Sequence, residues 1–334
     1  MINISIVIPL YNAEHFISKC LDSVFSQTFQ DFECIVVDDG STDDSLRICL
    51  DYAKNEERLR VLHINNSGVC AARNLGIREA KYNWITFIDS DDYIDSDYLQ
   101  SFIPHLHINR FCTHRAVKKI INETQIQEIG ISKNFVYNIN NNDNYALLNR
   151  NHLILASSWI KVFSKELLIK HNIFFDDKIT CVEDRIFVAQ YLLLDEVNDI
   201  HFIDACAYNY VIHKGSLTTI SPPPYMYAEA SLRWYGLIKL MNKKFNLTES
   251  DVVVQQKRFI KNQLIDVVLG MYNNSRIDGA ERLQIFKYIK SEIVKEFKGV
   301  KLDQNYIKFA NIIENTPYFI GSFLFSLLFK FKRN

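Results

Sequence analysis

Acidic and amide side chains recur at four points along the amino-terminal third of the chain, each directly after a short apolar run. They are Asn12, the pair Asp38-Asp39, the pair Asn65-Asn66 and the turn at residues 89–92, which reads Asp-Ser-Asp-Asp. Hard divalent cations take carboxylate oxygens and leave other positions for phosphate oxygens and water. The acidic turn therefore indicates a cation that binds a diphosphate, because carboxylates alone would repel one. The competing interpretation of this turn is a helix-capping loop.

The elements between these groups alternate in type. Apolar β-branched runs predict strands at residues 4–8, 32–37, 59–64 and 84–88. Apolar residues at helical spacing predict helices between them, the second capped by Ser41 or Thr42. Strands separated by helices of this length are typical of a mainly parallel sheet, so the predicted fold class is α/β.

The four polar groups are predicted to meet at one edge of this sheet, because parallel strands end on the same side. That edge is where open α/β sheets bind ligands. Loops that are polar only because they are exposed would occur at both ends of the sheet. Glycine-rich phosphate loops of the G-x-G-x-x-G or G-x-x-x-x-G-K-S/T type are absent from the sequence.

Four segments, in this order, resemble the family 2 glycosyltransferases of GT-A fold: residues 8–12 (IPLYN), 36–43 (VVDDGSTD), 66–76 (NSGVCAARNLG) and 87–92 (FIDSDD). One departure is Cys70, where the family usually has Ser. The resemblance implies a GT-A type three-layer α/β/α sandwich with a mainly parallel central sheet.

The same resemblance implies a nucleotide-diphosphate sugar as donor, most often a UDP-sugar. The implied donor site comprises Pro9, Tyr11, Asn12, Glu14, Asp39, Asn66, Gly68, Arg73, Asp89 and Ser90. Within it, Asp39 would accept from the base N3–H, and Arg73 would donate charge-assisted hydrogen bonds near the pyrophosphate. Without the surrounding motif, Arg73 and Asn74 would be interpreted as a solvated helix face.

One further segment, residues 182–187 (VEDRIF), resembles the family in the middle of the chain. Glu183-Asp184 matches a pair of acids that opens a helix beneath the acceptor, although the helix dipole alone also favours acids there. Inverting transfer requires one base to take the proton of the attacking hydroxyl, and Asp184 is predicted as that base, with Glu183 orienting the acceptor. Trp159 either stacks on an acceptor sugar or is a buried core ring.

The implied cation, Mn²⁺ or Mg²⁺, would be bound by Asp91, with Asp92 and His213 as further ligands. His213 follows a predicted strand at residues 207–212, where an isolated His is more often structural. Lys214 and Ser216 are predicted to neutralise the departing diphosphate.

Composition excludes other classes. The 334 residues include 38 Lys and Arg against 39 Asp and Glu, a net charge of -1 that argues against a protein that coats nucleic acid. The 7 cysteines form no Cys-x-x-Cys pair, which indicates reduced thiols rather than a disulfide framework or zinc ribbon. The amino terminus shows no basic leader, and no apolar run approaches the ~20 residues of a membrane span, so a cytoplasmic protein is expected.

Prolines at residues 222–224 separate two predicted regions. Residues 1–220 form the predicted GT-A domain, and residues 221–334 an α-helical region. Within that region, residues 316–333 predict a short apolar helix with a basic end. It either contacts the inner face of the cell membrane peripherally or packs on the protein.

The predicted function is inverting, metal-dependent transfer of a sugar to a hydroxyl of a glycan or lipid-linked oligosaccharide, in the synthesis of cell-surface polysaccharide, lipooligosaccharide or capsule. The alternatives are a catalytically silent module that binds nucleotide sugars and a sugar-phosphate nucleotidyltransferase. The second is less favoured, because residues 10–14 lack the glycines and cations that such enzymes place after the first strand.

Overall fold

A computed structural model describes residues 2–121, 125–130, 157–179, 181–213 and 224–245, with six single positions between 280 and 317. The chain divides into two compact units, Met1–Ser221 and Pro222–Asn334. The segment at residues 316–333 lies outside the described residues except for Pro317. No helix in the described ranges is both long and apolar enough to cross a bilayer.

The first four strands of the first unit run parallel. They are β1 (Ile4–Leu10), β2 (Phe32–Asp38), β3 (Leu59–His63) and β4 (Trp84–Phe87). β1 pairs with both β2 and β4, and β2 pairs with β3. Every residue of β1 and β2 is buried, as expected of apolar strands covered on both faces. The predicted strands are confirmed, and their carboxyl ends share one edge.

Three helices connect these strands: α1 (Ile17–Phe25), α2 (Ser45–Ala53) and α3 (Val69–Glu79). The predicted cap of α2 is wrong, because the helix begins at Ser45, beyond Ser41 and Thr42. The Ser41 hydroxyl instead accepts the backbone N–H of Asn12 at 3.0 Å. Ser41 therefore stabilises the backbone directly after β1 and does not cap α2.

Later strands extend the sheet beyond β4. Among the described residues, seven strands are ordered β10-β6-β9-β4-β1-β2-β3. The added strands are β6 (Arg110–His114), β9 (Lys161–Ser164) and β10 (Asp199–Ile203). β9 is antiparallel to β4 and β6, and β10 is parallel to β6. The predicted α/β class with a mainly parallel sheet is confirmed.

A second sheet lies beside the acidic turn. Its four strands within the described ranges are ordered β5-β11-β7-β8. They are β5 (Tyr93–Ile94), β7 (Ala116–Ile121), β8 (Gln125–Gly130) and β11 (Tyr208–Ile212). β5 follows the turn directly and pairs antiparallel with β11. This pairing brings a strand from far along the chain to the acidic turn.

Within the described ranges, the first unit also contains the α-helices α4 (Tyr98–Phe102), α5 (Lys165–Lys170) and α6 (Glu183–Leu192), and a 3-10 helix at Ile103–His105. An aromatic cluster packs α6 against the sheet: Phe187 stacks on Phe175 with centroids 4.0 Å apart and meets Phe87 of β4 edge-on at 5.9 Å. The second unit contains α7 (Pro224–Lys244).

Close backbone approach sets the position of α3. A Cβ atom on Gly76 would lie 2.2 Å from Cγ1 of Val7, so only glycine lets α3 lie this close to β1. Gly40 has a φ of 75° and a Cβ there would lie 2.8 Å from the backbone N of Asn66. Both glycines therefore bring the polar strand ends together.

Candidate active site

The site begins where the loops after β1, β2 and β3 bond to one another. Asp39 is 4% exposed, and its two carboxylate oxygens accept the backbone N–H groups of Ser67 at 2.7 Å and Gly68 at 2.8 Å. Each oxygen retains a second lone pair, so Asp39 can also accept a hydrogen bond from a ligand. The side chain of Asn12 accepts the N–H of Thr42 at 2.8 Å.

The residues predicted to contact the base and the ribose of the donor differ in solvent exposure and in the hydrogen bonds they already make. The Tyr11 side chain is open to solvent, since the residue is 49% exposed, and it follows directly on the end of β1, which contains the buried Pro9. Asn66 is also exposed. Glu14 already accepts the N–H of Asp44 through Oε2 at 2.9 Å, at the start of α2. The structure therefore gives Glu14 a local role in holding this helix, beside the predicted contact with ribose.

Arg73 is the centre of the acidic cluster. It is 4% exposed, which excludes the interpretation as a solvated helix face. Its Nη2 lies 2.9 Å from Oδ1 of Asp89, and its Nη1 lies 3.0 Å from Oδ1 of Asp184 and 3.8 Å from Oε1 of Glu183. Burial alone would lower the pKa of Arg73, but the three carboxylates outweigh it and raise that pKa.

Two of the acids near Arg73, Asp89 and Glu183, have raised pKa values. Burial raises the pKa of Asp89 to about 6, against the opposing effect of Arg73. Burial, together with the neighbouring Asp184, raises the pKa of Glu183 to about 7. Glu183 is therefore partly protonated at neutral pH and can both donate and accept hydrogen bonds.

The start of α6 places the two acids. Val182, the residue before the helix, has a φ of 63°, which is rare for a β-branched residue. In the segment before α6, the backbone C=O of Phe175 accepts from the side-chain amide of Asn74 in α3, and the N–H of Phe175 donates to that side chain, both at 2.8 Å. Asn74 is thus buried and structural rather than part of a solvated face. These contacts hold the segment before α6 against α3, where Arg73 lies.

The predicted cation ligands come from two distant parts of the chain. Nε2 of His213 lies 2.9 Å from Oδ2 of Asp91, and the ring of Phe16 stacks on His213 with centroids 4.2 Å apart. Two ligand atoms at this separation fit neighbouring positions around Mg²⁺ or Mn²⁺, whose bonds are about 2.1 Å long. The described residues contain no cluster of three or more ligating side chains. Further ligands would come from donor phosphates and water, which is how Mg²⁺ is usually bound.

Asp92 has a structural role besides the predicted one. It is 2% exposed; its Oδ1 accepts the N–H of Val211 at 2.8 Å and its Oδ2 accepts the hydroxyl of Tyr208 at 2.7 Å. Both oxygens thus attach the turn to β11, and each keeps one lone pair, so cation binding by Asp92 stays a prediction. Ser90, also buried, lies between Asp89 and Asp91.

Trp159 matches the buried-ring alternative. It is 5% exposed and stacks on Tyr208 at 4.9 Å and on Tyr210 at 5.6 Å. The sequence analysis missed Tyr208 and Phe16, which support the acidic turn and His213. The signal available for Tyr208 was its place in the strand that ends just before His213. Lys214 and Ser216 lie outside the described residues.

Comparison with known proteins finds that the profile of Glycosyl transferase family 2 matches residues 5–171, which is 167 of 334 residues. Glycosyltransferase GlyA of Streptococcus pneumoniae is 29% identical over 265 residues, covering 76% of this chain and 37% of that protein. The poly(ribitol-phosphate) beta-glucosyltransferase of Bacillus spizizenii is 37% identical over 188 residues, 55% of this chain and 28% of that protein. The matched segments thus span less than half of either relative.

Solved structures agree on the fold. TarS 1-349 of S. aureus, in complex with UDP, aligns with a TM-score of 0.65 at 19% identity, over 99% of this chain and 92% of that one. The mannosyltransferase PcManGT of Pyrobaculum calidifontis, in complex with GDP-Man and Mn²⁺, aligns with a TM-score of 0.53 at 14% identity, over 97% and 87%.

Proposed function

The chain belongs to Glycosyl transferase family 2, and we propose that it transfers a sugar, with inversion, from a nucleotide-diphosphate sugar to an acceptor hydroxyl. The observation that carries this proposal is the single cluster in which Arg73 joins Asp89, on the donor side, to Asp184, the candidate base. Such a cluster places a carboxylate on the donor side and a candidate proton acceptor within the reach of one guanidinium.

The donor would lie along the edge formed by β1, β2 and β3. Tyr11 offers an exposed ring for the base, and Asp39 can still accept a hydrogen bond from an N–H group of that base. A UDP-sugar is the donor we favour, since the TarS structure contains UDP. The diphosphate would then lie toward Arg73 and the acidic turn.

Asp91 and His213 are the residues that would hold a divalent cation, Mn²⁺ or Mg²⁺. When bound, the cation supplies positive charge that stabilises the departing nucleotide diphosphate. The PcManGT complex with Mn²⁺ supports this choice of cation. Lys214 and Ser216, just beyond His213 in sequence, remain our proposal for further contacts with the leaving group.

Asp184 would act on the acceptor. Its carboxylate takes the proton of the acceptor hydroxyl as the oxygen forms a bond to the anomeric carbon. The bond from that carbon to the diphosphate oxygen breaks, and the electron pair leaves with the nucleotide. Arg73 holds the carboxylate at a fixed angle, and Glu183 beside it would orient the acceptor through its partly protonated carboxyl.

For the acceptor, we propose a hydroxyl of a glycan or lipid-linked oligosaccharide destined for the cell surface. The B. spizizenii relative is a poly(ribitol-phosphate) beta-glucosyltransferase, which supports a polymeric acceptor that carries hydroxyl groups. We further propose a catalytic domain over residues 1–220, a helical region over residues 221–334 and a cytoplasmic location, with residues 316–333 either contacting the inner membrane face or packing on the protein.

Thermal stabilisation by a panel of nucleotide sugars, with Mn²⁺ or with EDTA, tests the donor, since a ligand of the folded state raises the melting temperature. Release of the nucleotide diphosphate on addition of glycan acceptors tests the transfer. Binding without acceptor-dependent release would favour the silent binding module. Release of pyrophosphate from a nucleoside triphosphate and a sugar phosphate would favour the nucleotidyltransferase.

A further inference from the structure

Tyr208 lies under the acidic turn and bonds to it at two points. It is fully buried, and its hydroxyl is 3.2 Å from the backbone N of Asp89 and 2.7 Å from Oδ2 of Asp92. The backbone N–H can only donate, so the hydroxyl accepts from Asp89 and its single hydrogen goes to Asp92. The Tyr208 hydroxyl can therefore make both hydrogen bonds at once, and they connect it to the first and the last residue of the turn, Asp89 and Asp92.

Asp92 completes the connection on the other side. Its second oxygen accepts the N–H of Val211 at 2.8 Å. Tyr208 and Val211 both belong to β11, which ends at Ile212, directly before His213. The acidic turn is thus hydrogen-bonded to two residues of β11, the strand that ends directly before His213.

The Tyr208 ring has little freedom to move. Trp159 stacks on it with centroids 4.9 Å apart and planes 13° apart, and Tyr98 lies 6.1 Å away. A buried ring packed in this way holds its hydroxyl in one place. Trp159 therefore contributes to the site as a support for Tyr208.

We propose that Tyr208, acting with Asp92, is a positioning residue that sets the register between the acidic turn and β11. That register determines the 2.9 Å separation of Asp91 and His213. The inference rests on the proposed function, because the separation matters only if these two residues bind the cation of a nucleotide sugar. Tyr208 itself touches neither donor nor cation.

Groups that orient metal ligands without binding the metal typically contribute 10–100-fold to metal affinity. We expect Tyr208→Phe, which removes the hydroxyl and keeps the ring, to weaken Mn²⁺ binding in the presence of UDP by about tenfold or more. Tyr98→Phe is the matched control. Tyr98 is equally buried, and its hydroxyl bonds Thr86 at 3.0 Å, away from the turn.

Isothermal titration of each variant with Mn²⁺ at saturating UDP gives the affinity, and the melting temperature gives the stability. Both variants are expected to lose similar stability, whereas only Tyr208→Phe loses Mn²⁺ affinity. Asp92→Asn provides a second route, because its single amide oxygen can accept from the Tyr208 hydroxyl or from the Val211 N–H but not from both. We expect it to weaken Mn²⁺ binding as Tyr208→Phe does, with no further loss when the two are combined.

Equal Mn²⁺ affinity in Tyr208→Phe and Tyr98→Phe would overturn the proposal, as would independent losses in Tyr208→Phe and Asp92→Asn. If Tyr208→Phe does not fold, Asp92→Asn compared with Tyr98→Phe decides in the same way. Failure of the wild-type protein to bind Mn²⁺ and UDP would instead overturn the proposed function itself, and this inference with it.

Discussion

Arg73 and Asp184 meet through a hydrogen bond of 3.0 Å between Nη1 and Oδ1, although 111 positions separate them in the chain. The other terminal nitrogen of Arg73 bonds Asp89 at 2.9 Å. A planar guanidinium can bond two carboxylates at once through separate nitrogens, which a lysine ammonium does with less geometric control. One rigid group therefore links the proposed donor side to the proposed base.

Asp184→Asn tests the base directly. The amide keeps the size of the side chain but cannot take a proton, so acceptor-dependent release of UDP should fall by about 10²–10⁴-fold. UDP-sugar affinity, measured by titration, should change little. Asp177→Asn, an exposed position on the loop before α6, serves as the control. Transfer at a near wild-type rate by Asp184→Asn would show that another group is the base.

Arg73→Gln tests the cluster as a structural unit. Loss of one partner leaves buried carboxylates uncompensated, which typically costs about 3–5 kcal/mol. Urea unfolding should show a decrease of this order, with Arg73→Lys recovering only part of it. Arg78→Gln, on the exposed face of the same helix, should change the free energy of unfolding by about 0.5 kcal/mol at most. A similar small change in Arg73→Gln would contradict the role assigned to Arg73.

Glu183→Gln should stabilise the protein in a pH-dependent manner. The pKa of Glu183 is raised to about 7 in the folded protein from an ordinary 4.5, so the unfolded chain loses this proton first. Stability is therefore lost as pH rises between these values, and the variant escapes that loss. The gain should be absent at pH 4, grow through neutrality and level off above the folded pKa, at no more than about 3 kcal/mol.

Melting temperatures from pH 4 to pH 8.5 measure this effect. Glu57→Gln, at an exposed position, is the control and should show no pH-dependent difference from the wild type. A constant difference between Glu183→Gln and wild type across this range would mean that burial does not shift the ionisation of Glu183.

Chelation should abolish sugar transfer if Asp91 and His213 bind the cation. Addition of Mn²⁺ or Mg²⁺ should restore it. Asp91→Asn and His213→Gln should each weaken Mn²⁺ binding at least as much as loss of an orienting group does, which is 10–100-fold. His171→Gln, near the end of α5 and paired with Glu196, is the control. Transfer that continues unchanged in excess EDTA would remove the cation from the proposal.

Local sequence patterns predicted the strands β1 to β4 and the helices between them. β1 and β2 are apolar runs whose burial on both faces is visible in the residues themselves, and the turns after β1 to β4 carry the polar groups. These polar groups meet at one edge of the sheet because parallel strands end on the same side. The contacts of Arg73 with Asp184 and Glu183 were not predicted, since helix periodicity does not distinguish a buried from a solvated arginine; the family motif predicted a contact with the pyrophosphate, which stays a prediction.

The remaining features depend on contacts between distant parts of the chain. Asp91 and Asp92 are adjacent acids, and Tyr208, 116 positions away from Asp92, donates its hydroxyl hydrogen to Asp92. Trp159 likewise could not be assigned before β11 was placed, because its two stacking partners both come from that strand. Neither set of contacts is encoded in local spacing.

The place of β11 in the second sheet has a consequence for synthesis of the protein. β11 lies between β5 and β7, both of which precede it in the chain, and it carries Tyr208 and leads into His213. A chain growing from the ribosome therefore completes the strand ends of β1 to β4 before Asp91 can meet His213. Any polypeptide that terminates before residue 208 lacks both Tyr208 and His213, so under the proposed function we expect unfinished copies to lack the cation site.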